Sequence, residues 1–144
     1  MDLLKIARVP AVTVGPQTTV YQAALKMAEN RVGAVVVVND ENKVVGIFTE
    51  RDHLYRVTCQ ELNPKRTSMV EVMTSAVVTV PSDISVNDGL ALMVRERFRH
   101  LPIVDPQNHS VGLASIRHLL MRRLHEKQDS IETLAAYAES GGPG

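Results

Sequence analysis

The chain has 144 residues, of which 44% are hydrophobic and 22% are charged, a balance typical of a globular domain with a sizeable core. Sixteen basic residues equal sixteen acidic ones. Proteins that bind nucleic acids or membrane surfaces usually carry a basic excess, so neither class is favoured. The 3% aromatic content, with no Trp, also disfavours a stacking platform for single-stranded nucleic acid.

The sequence contains no signal for export or for membrane insertion. Its single cysteine, Cys59, allows no internal disulfide, and the first ten residues, "MDLLKIARVP", contain no apolar signal core. No segment approaches the roughly 20 apolar residues that a membrane span needs. These features predict a soluble, cytoplasmic protein.

The first half of the chain predicts, in order, a short strand, a helix, a β-hairpin and a second helix. The strand "AVTV" ends in the turn signal Gly15-Pro16, and the helix that follows is capped by Thr18 or Thr19. The hairpin joins "AVVVV" to "KVVGIF" through "NDEN". Its run of four valines predicts a strand that is buried on both faces. The second helix opens at Thr49.

The second half repeats this order after a linker. The linker, "CQELNPKRTSMVEVMT", predicts a short helix at Ser68–Met73, and "LLKIARVP" near the start of the chain is its expected counterpart. The strand "VVTV" precedes a helix capped by Ser82 or Asp83, and the hairpin of "HLPIV" and "SVGLA" precedes a helix that opens at Ser115. The helical pattern continues far beyond Leu120, and the final "SGGPG" is predicted to be disordered.

A displacement of 66 residues superimposes the two halves without a gap over about forty residues, which identifies an internal repeat. Identical pairs include Thr13/Thr79, Val14/Val80, Val20/Val86, Met27/Met93, Arg31/Arg97, Val38/Val104, Asn42/Asn108, Val45/Val111, Gly46/Gly112, Arg51/Arg117, Leu54/Leu120 and Arg56/Arg122. One β-α-β-β-α unit is too small to bury its own sheet well, whereas two units packed face to face can do so. We therefore predict an α/β (α+β) fold of two pseudo-symmetric β-α-β-β-α repeats with an extended C-terminal helix.

The predicted domain organisation follows from these patterns. Its boundaries are 8–58 for the first repeat, 59–73 for the linker with its short helix, 74–125 for the second repeat, 126–139 for the C-terminal helix extension and 140–144 for the disordered tail. On the base rates of amphipathic helices, the extension is interpreted as a packing or dimer surface rather than a site of chemistry.

Thr49 and Asp52, in the stretch "GIFTERD", allow two interpretations. A Thr with an acidic residue three positions later forms a capping box, in which each side chain accepts a hydrogen bond from the other residue's backbone N–H. A carboxylate at the start of a helix is also a good acceptor for the two hydroxyl donors of a cis-diol. The two interpretations are compatible, because the residues that start the helix are also placed to hold a ligand.

The repeat, together with "RVGAVVVVND…GIFTERD" in the first copy and "RFRHLPIVD…GLAS" in the second, resembles the cystathionine-β-synthase (CBS) domain. A tandem pair of such domains resembles a Bateman module, here of stand-alone type, and the resemblance covers residues 8 to about 125. It implies a disc-like pair of repeats with two clefts between them, each able to accept an adenosine-containing ligand. It also favours a homodimer of modules.

The resemblance implies a ligand site in one cleft. Thr49 and Asp52 match the positions that hold ribose hydroxyls, Ala76, Val77 and Val78 would flank the adenine, and Arg99, His100 and Pro102 would face the ribose and phosphates. Arg51 and Arg97 are secondary candidates, for which solvated surface charge is the simpler interpretation. Arginine offers a planar fork for phosphate oxygens, and histidine offers a donor whose charge depends on pH.

The second cleft departs from the pattern. His118 stands where the first copy has Asp52, and an imidazole cannot accept hydrogen bonds from both hydroxyls of a diol. Gly33 and Ala34 stand where the second copy has Arg99 and His100. We therefore expect a degraded cleft, lined by Ala11, Val12, Val35, Val36, Ser115 and His118, and one ligand per chain.

The sequence favours a regulatory sensor over two alternatives. The expected ligand is an adenine nucleotide, AMP foremost, with ADP, ATP, NAD(H) or S-adenosylmethionine as other candidates, and the bound state would be transmitted to a client protein. The first alternative is a structural or interaction module that acts through its dimer surface without a ligand. The second is an enzyme, but Ser115 and His118 have no orienting acid and no oxyanion loop. No cofactor is required, and the histidines show no zinc-ligand spacing.

Overall fold

The computed structural model describes residues 1–139, with side chains throughout that range except at 129–134 and 137–139. A short 3₁₀ helix at Leu3–Lys5 precedes the first repeat. The first repeat comprises β1 (Thr13–Val14), α1 (Val20–Asn30), β2 (Ala34–Val38), β3 (Val44–Thr49) and α2 (Glu50–Asp52), which continues as a π-helical segment at His53–Thr58. After α3 (Met69–Val72), the second repeat comprises β4 (Val80–Pro81), α4 (Val86–Glu96), β5 (His100–Val104), β6 (Ser110–Ser115) and α5 (Ile116–Glu139).

Each repeat forms one three-stranded sheet, and the two sheets have the same topology. The orders are β1-β2-β3 and β4-β5-β6, with the first pair of strands parallel and the second pair antiparallel. The residue pairs of one sheet are those of the other displaced by 66, including the irregularity between Val37 and Val38 and its equivalent between Ile103 and Val104. The predicted α+β fold of two repeats with a long C-terminal helix is confirmed. The predicted tail, 140–144, lies outside the described residues.

Two pairs of identical residues have the same left-handed backbone conformation in both repeats. Arg31 and Arg97 end α1 and α4 in the left-handed conformation, with φ of 54° and 61°. Asn42 and Asn108 in the hairpin turns have φ of 62° and 68°. Few non-glycine residues adopt this region, and asparagine is among those that favour it. The two repeats therefore share the same backbone geometry at these helix ends and hairpin turns, and this geometry does not depend on a ligand.

The helix starts confirm one predicted cap and correct another. Thr19 caps α1 in a capping box with Gln22. The short helix predicted at Ser68–Met73 is α3, and Ser68 is its N-cap. The cap predicted for α4 at Ser82 or Asp83 is wrong, because the chain makes a turn after β4 and α4 starts only at Val86, where the Ser85 side chain accepts from the backbone N–H of Asp88. The cap lies 66 residues after Thr19, so the repeat register is a better guide here than the first polar residue after the strand.

The two repeats exchange their leading segments. Thr74, which leads into the second repeat, exchanges two backbone hydrogen bonds with Ile47 of β3, at 2.9 and 3.0 Å. Arg8, which leads into the first repeat, exchanges two with Leu113 of β6, both at 3.0 Å. Leu3 is fully buried in the core of the second repeat, whereas Met69 of α3 is buried in the core of the first. Each exchange therefore covers part of the outer edge of β3 or β6.

The hairpin turns of the two repeats also contact each other. The backbone N–H of Val44 donates to the carbonyl of Asn108, and that of Ser110 donates to the carbonyl of Asn42, both at 3.0 Å. A shared apolar core, which includes Ala11, Ala34, Val36, Val44 and Leu113, fills the space between the sheets. The predicted burial of the valine run is confirmed, since Val35–Val37 have no exposed surface. Among the described residues, no helix is long and apolar enough to cross a membrane.

Gly112 allows a test of the exchanged segment. A Cβ added there would lie 2.9 Å from the carbonyl oxygen of Arg8, which is backbone and is held by the bond to Leu113. We expect Gly112→Ala to lower the free energy of unfolding by about 1–3 kcal/mol, the usual cost of overpacking. Chemical denaturation measures this change.

Gly15→Ala is the matched control, because the atom nearest to its added Cβ is the Thr18 hydroxyl oxygen at 3.8 Å. It should leave stability unchanged or raise it by up to about 1 kcal/mol. Equal losses in both variants would show that the Arg8 segment does not pack closely on β6.

Candidate functional site

The candidate site begins where β3 ends and α2 starts. Thr49 is the N-cap of α2, and its hydroxyl oxygen accepts from the backbone N–H of Asp52 at 3.1 Å. The Oδ2 atom of Asp52 accepts from the backbone N–H of Thr49 at 3.0 Å, which completes the predicted capping box. A carboxylate has about four acceptor positions, so this bond leaves most of them available. Among the described residues, the Asp52 carboxylate makes one further polar contact, a loose ion pair in which its Oδ1 lies 3.7 Å from the Nε of Arg56.

The opposite wall comes from the second repeat. Thr74 pairs with Ile47 of β3, and the chain that follows Thr74 continues along the end of this strand. Ala76–Val78 therefore line the same cavity as the capping box of Thr49 and Asp52. The start of β5 supplies the rest of this wall, where His100 pairs with Ser115. The cleft therefore lies between two repeats, and neither repeat could form it alone.

All ten residues predicted for the ligand site line this one cavity, of about 220 Å3. They are Thr49, Arg51, Asp52, Ala76, Val77, Val78, Arg97, Arg99, His100 and Pro102. Whether these residues bind a ligand stays a prediction.

Sequence reasoning missed four lining residues, namely Ile47, Glu50, Thr74 and Phe98. Ile47 and Thr74 line the cavity because the edge pairing places them side by side, which no local pattern reveals. Glu50 and Phe98 are direct neighbours of predicted residues in the chain. Both lie inside the stretches "TERD" and "RFRHLP", so considering every residue of these two stretches would have found them.

The basic residues of the cavity are held in different ways. The guanidinium of Arg51 lies 5.9 Å from the centre of the Tyr55 ring, a cation–π contact on the outer surface. Arg97 is the left-handed residue that ends α4, and Arg99 lies two residues later; both are exposed. Within the side chains that the structure describes, the ion pairs involve neither Arg97 nor Arg99. Both can therefore turn toward an anion.

His100 is the titratable group in the wall of the cavity. Burial lowers the pKa of His100 below its ordinary value, because a charged imidazolium loses hydration there. The Glu50 carboxylate opposes this effect, and the charges of Arg99 and His118 reinforce it. At neutral pH the imidazole is therefore neutral.

Comparison with known proteins identifies the family. The family model described as the CBS domain matches residues 4–52 and 69–125, most of the chain. The protein belongs to the CBS-domain family. The chain is also 36% identical, over 116 residues, to an uncharacterised protein of Methanopyrus kandleri, covering 81% of this chain and 59% of that one. It therefore spans about three fifths of the length of that curated relative.

Two solved structures share the arrangement of this CBS pair. A CBS-domain-containing protein of Agrobacterium tumefaciens is 32% identical, with a TM-score of 0.74, and the alignment covers 84% of this chain and 95% of that one. A CBS domain protein of Pyrobaculum aerophilum, solved in complex with AMP, is 26% identical, with a TM-score of 0.75 and coverage of 82% and 89%. The tandem CBS fold is thereby shown.

The residues predicted to line the second, degraded cleft of this CBS pair lie in several places, and the cleft itself stays a prediction. Ala11 and Val12 line a different, open cavity, which also includes Lys26 and Asn30. Val35 and Val36, expected at its wall, are fully buried, the former in the core of the first repeat and the latter in the core between the sheets. Neither Ser115 nor His118 lines that cavity. In the described residues, no group of three or more His, Cys, Asp or Glu side chains could hold a metal ion.

The lowered pKa of His100 predicts a pH dependence of stability. The unfolded chain binds a proton at this position more readily than the folded protein does, so stability is lost as pH falls through the ordinary titration range of histidine. The free energy of unfolding of the wild type, minus that of His100→Gln, should therefore decrease between pH 7.5 and pH 5.5.

Urea denaturation at both pH values measures the difference. His125→Gln, at an exposed position of α5, is the control and should follow the wild type. If wild type and His100→Gln lose stability in parallel, His100 is not held in its neutral form by the fold.

Proposed function

We propose that this protein is a regulatory sensor that binds an adenine nucleotide, AMP foremost, in the cleft between its two CBS repeats. The observation that carries the proposal is the convergence on one cavity of the Thr49–Asp52 pair, an apolar wall and several cations. The AMP complex of the Pyrobaculum aerophilum protein supports this choice of ligand. We propose no catalytic role, since the cavity holds no nucleophile with an adjacent base.

Each part of a nucleotide has a complementary group in the cavity. The ribose diol offers two donors, which suit the free acceptor positions of the Asp52 carboxylate. The adenine ring fits against Val77, Val78 and Pro102, which are apolar. The phosphate is an anion that matches Arg99, whose planar guanidinium can donate two parallel hydrogen bonds. ATP, ADP, NAD(H) and S-adenosylmethionine share the adenosine part and remain candidates.

Binding in this cleft would report on the ligand because both repeats contribute to its walls. A ligand that contacts both repeats stabilises the relative pose in which those contacts are made. A homodimer or a client protein can read that pose through exposed apolar side chains, such as Leu54 and Tyr55 near the cleft and Leu120 and Met121 on α5. We propose that this surface transmits the ligand state.

A second function has one observation in its favour. The mutual hydrogen bonds of Thr49 and Asp52 fully explain their presence as a helix cap. On that basis the protein would be an interaction module that acts through its surface without a ligand. The following experiment separates the two functions.

Calorimetric titration of AMP into wild type and Asp52→Asn tests the sensor. The Asn side-chain oxygen can still accept from the Thr49 backbone N–H, so the cap survives, but a charged acceptor for the diol is lost. We expect affinity to fall about ten- to hundredfold, the effect of losing hydrogen bonds to a charged group. Thermal stability in the absence of AMP should change by less than about 1 kcal/mol.

Asp88→Asn is the matched control, because Asp88 occupies the same third helical position in α4 but lies outside the cavity. It should bind AMP as the wild type does. The absence of saturable binding by AMP or any other adenosine ligand would favour the interaction module.

The stoichiometry should be one AMP per chain. His118→Asp restores a carboxylate at the equivalent position of the second repeat, but Ala34 still stands where the first cleft has His100, and Val36 stays in the core. We therefore expect one site per chain in this variant as well, measured by the molar ratio in the same titration. A ratio near two in either protein would contradict the asymmetry.

A further inference from the structure

Glu50 and His100 converge on one point of the cleft wall. A Cβ added at Gly33 would lie 3.2 Å from the Oε1 of Glu50 and 3.6 Å from the Cε1 of His100, so both side chains pack over this glycine. Glu50 is fixed at its base, because its backbone N–H donates to the carbonyl of Gly33 at 2.9 Å. The two side chains come from different repeats and both line the cavity.

The ionisable side chains around His100 have opposing effects on its protonation. Glu50, at the start of α2, favours the protonated imidazole. Arg99, which precedes His100 in the chain, and His118, in the first turn of α5, disfavour it. Burial also disfavours it, so in the ligand-free protein the neutral form prevails at neutral pH. Glu50 is the one neighbour that supports a proton on His100.

We propose that binding of a phosphorylated ligand in this cleft takes up a proton at His100, and that Glu50 is the positioning residue that sustains this uptake. The inference rests on the proposed nucleotide binding. Glu50 itself is an unfavourable neighbour for a phosphate, because both are anions. A proton on His100 adds a positive charge that attracts both the Glu50 carboxylate and the phosphate, and this attraction offsets the repulsion between the two anions.

The sign of the pH dependence follows from the change in charge. A phosphate near His100 favours the imidazolium and so raises the pKa of His100 from its lowered ligand-free value. Between the two values the complex binds one more proton than the free protein, so affinity increases as pH falls. A ligand without phosphate provides no such charge, and its affinity should not depend on His100 protonation. Occupancy of the cleft would therefore depend on both the pH and the nucleotide concentration.

Calorimetric titration at pH 6.5 and pH 8.0, each in two buffers with different heats of protonation, tests the proposal. We expect AMP to bind the wild type about two- to fivefold more tightly at pH 6.5, with net proton uptake near neutral pH. Adenosine should show neither effect. The phosphate of AMP itself titrates near pH 6, so comparison with His100→Gln in the same buffers removes the contribution of the ligand.

Two variants and their matched controls test whether His100 takes up the proton and whether Glu50 supports this uptake. His100→Gln should lose the additional affinity at pH 6.5 and the proton uptake that wild type shows beyond the ligand's own. Glu50→Gln should take up fewer protons at pH 7 and show its rise in affinity only at lower pH. His125→Gln and Glu29→Gln, both at exposed helix positions outside the cavity, should behave as the wild type. NMR titration of the His100 ring with and without AMP supplies a measurement that needs no variant.

The outcomes separate this inference from the proposed function. Saturable AMP binding with the same pH dependence in wild type and His100→Gln would overturn the proton coupling and leave the sensor intact. Saturable binding with a His100 ring whose titration AMP leaves unchanged would overturn it as well. An absence of AMP binding at both pH values would overturn the proposed function, and the inference with it.

Discussion

The architecture depends on one reciprocal arrangement, in which each edge strand pairs with the segment that leads into the other repeat. Ile47 and Thr74 exchange two backbone hydrogen bonds, as do Leu113 and Arg8. Such pairing covers part of two sheet edges at once. It also draws the entry segment of the second repeat across the end of β3, so the same bonds that join the repeats build the cleft between them.

The two repeats have nearly the same backbone but different side chains at equivalent positions. The strand registers coincide after a displacement of 66 residues, but Asp52 is matched by His118, and His100 by Ala34. In one cleft the side chains combine acceptors and cations, whereas in the other repeat a histidine replaces the aspartate, and Gly33 and Ala34 replace Arg99 and His100. The two repeats thus share a backbone frame, and the polar groups predicted to bind a ligand lie in one of the two clefts. A sensor with one site per chain is consistent with this division.

Much of the fold could be predicted because local and repeat-level signals agree. The hairpins, the starts of α1 and α2 and ten of the residues that line the cavity follow from the two copies and the family they resemble. The start of α4 was mispredicted at Ser82 or Asp83, since several polar residues compete for one cap and only the packing of the turn chooses Ser85. Glu50 was missed because its role depends on Gly33 leaving room beside it, a property of packing that no spacing expresses.

A structure of the protein determined in complex with AMP is the most direct test of the central claim that the first cleft is a nucleotide site. The account predicts the ribose hydroxyls within hydrogen-bond distance of Asp52, the adenine against Val77 and Val78, and the phosphate beside His100. AMP bound instead in the open cavity at Ala11 and Val12, or AMP in the first cleft with its ribose turned away from Asp52, would contradict the account.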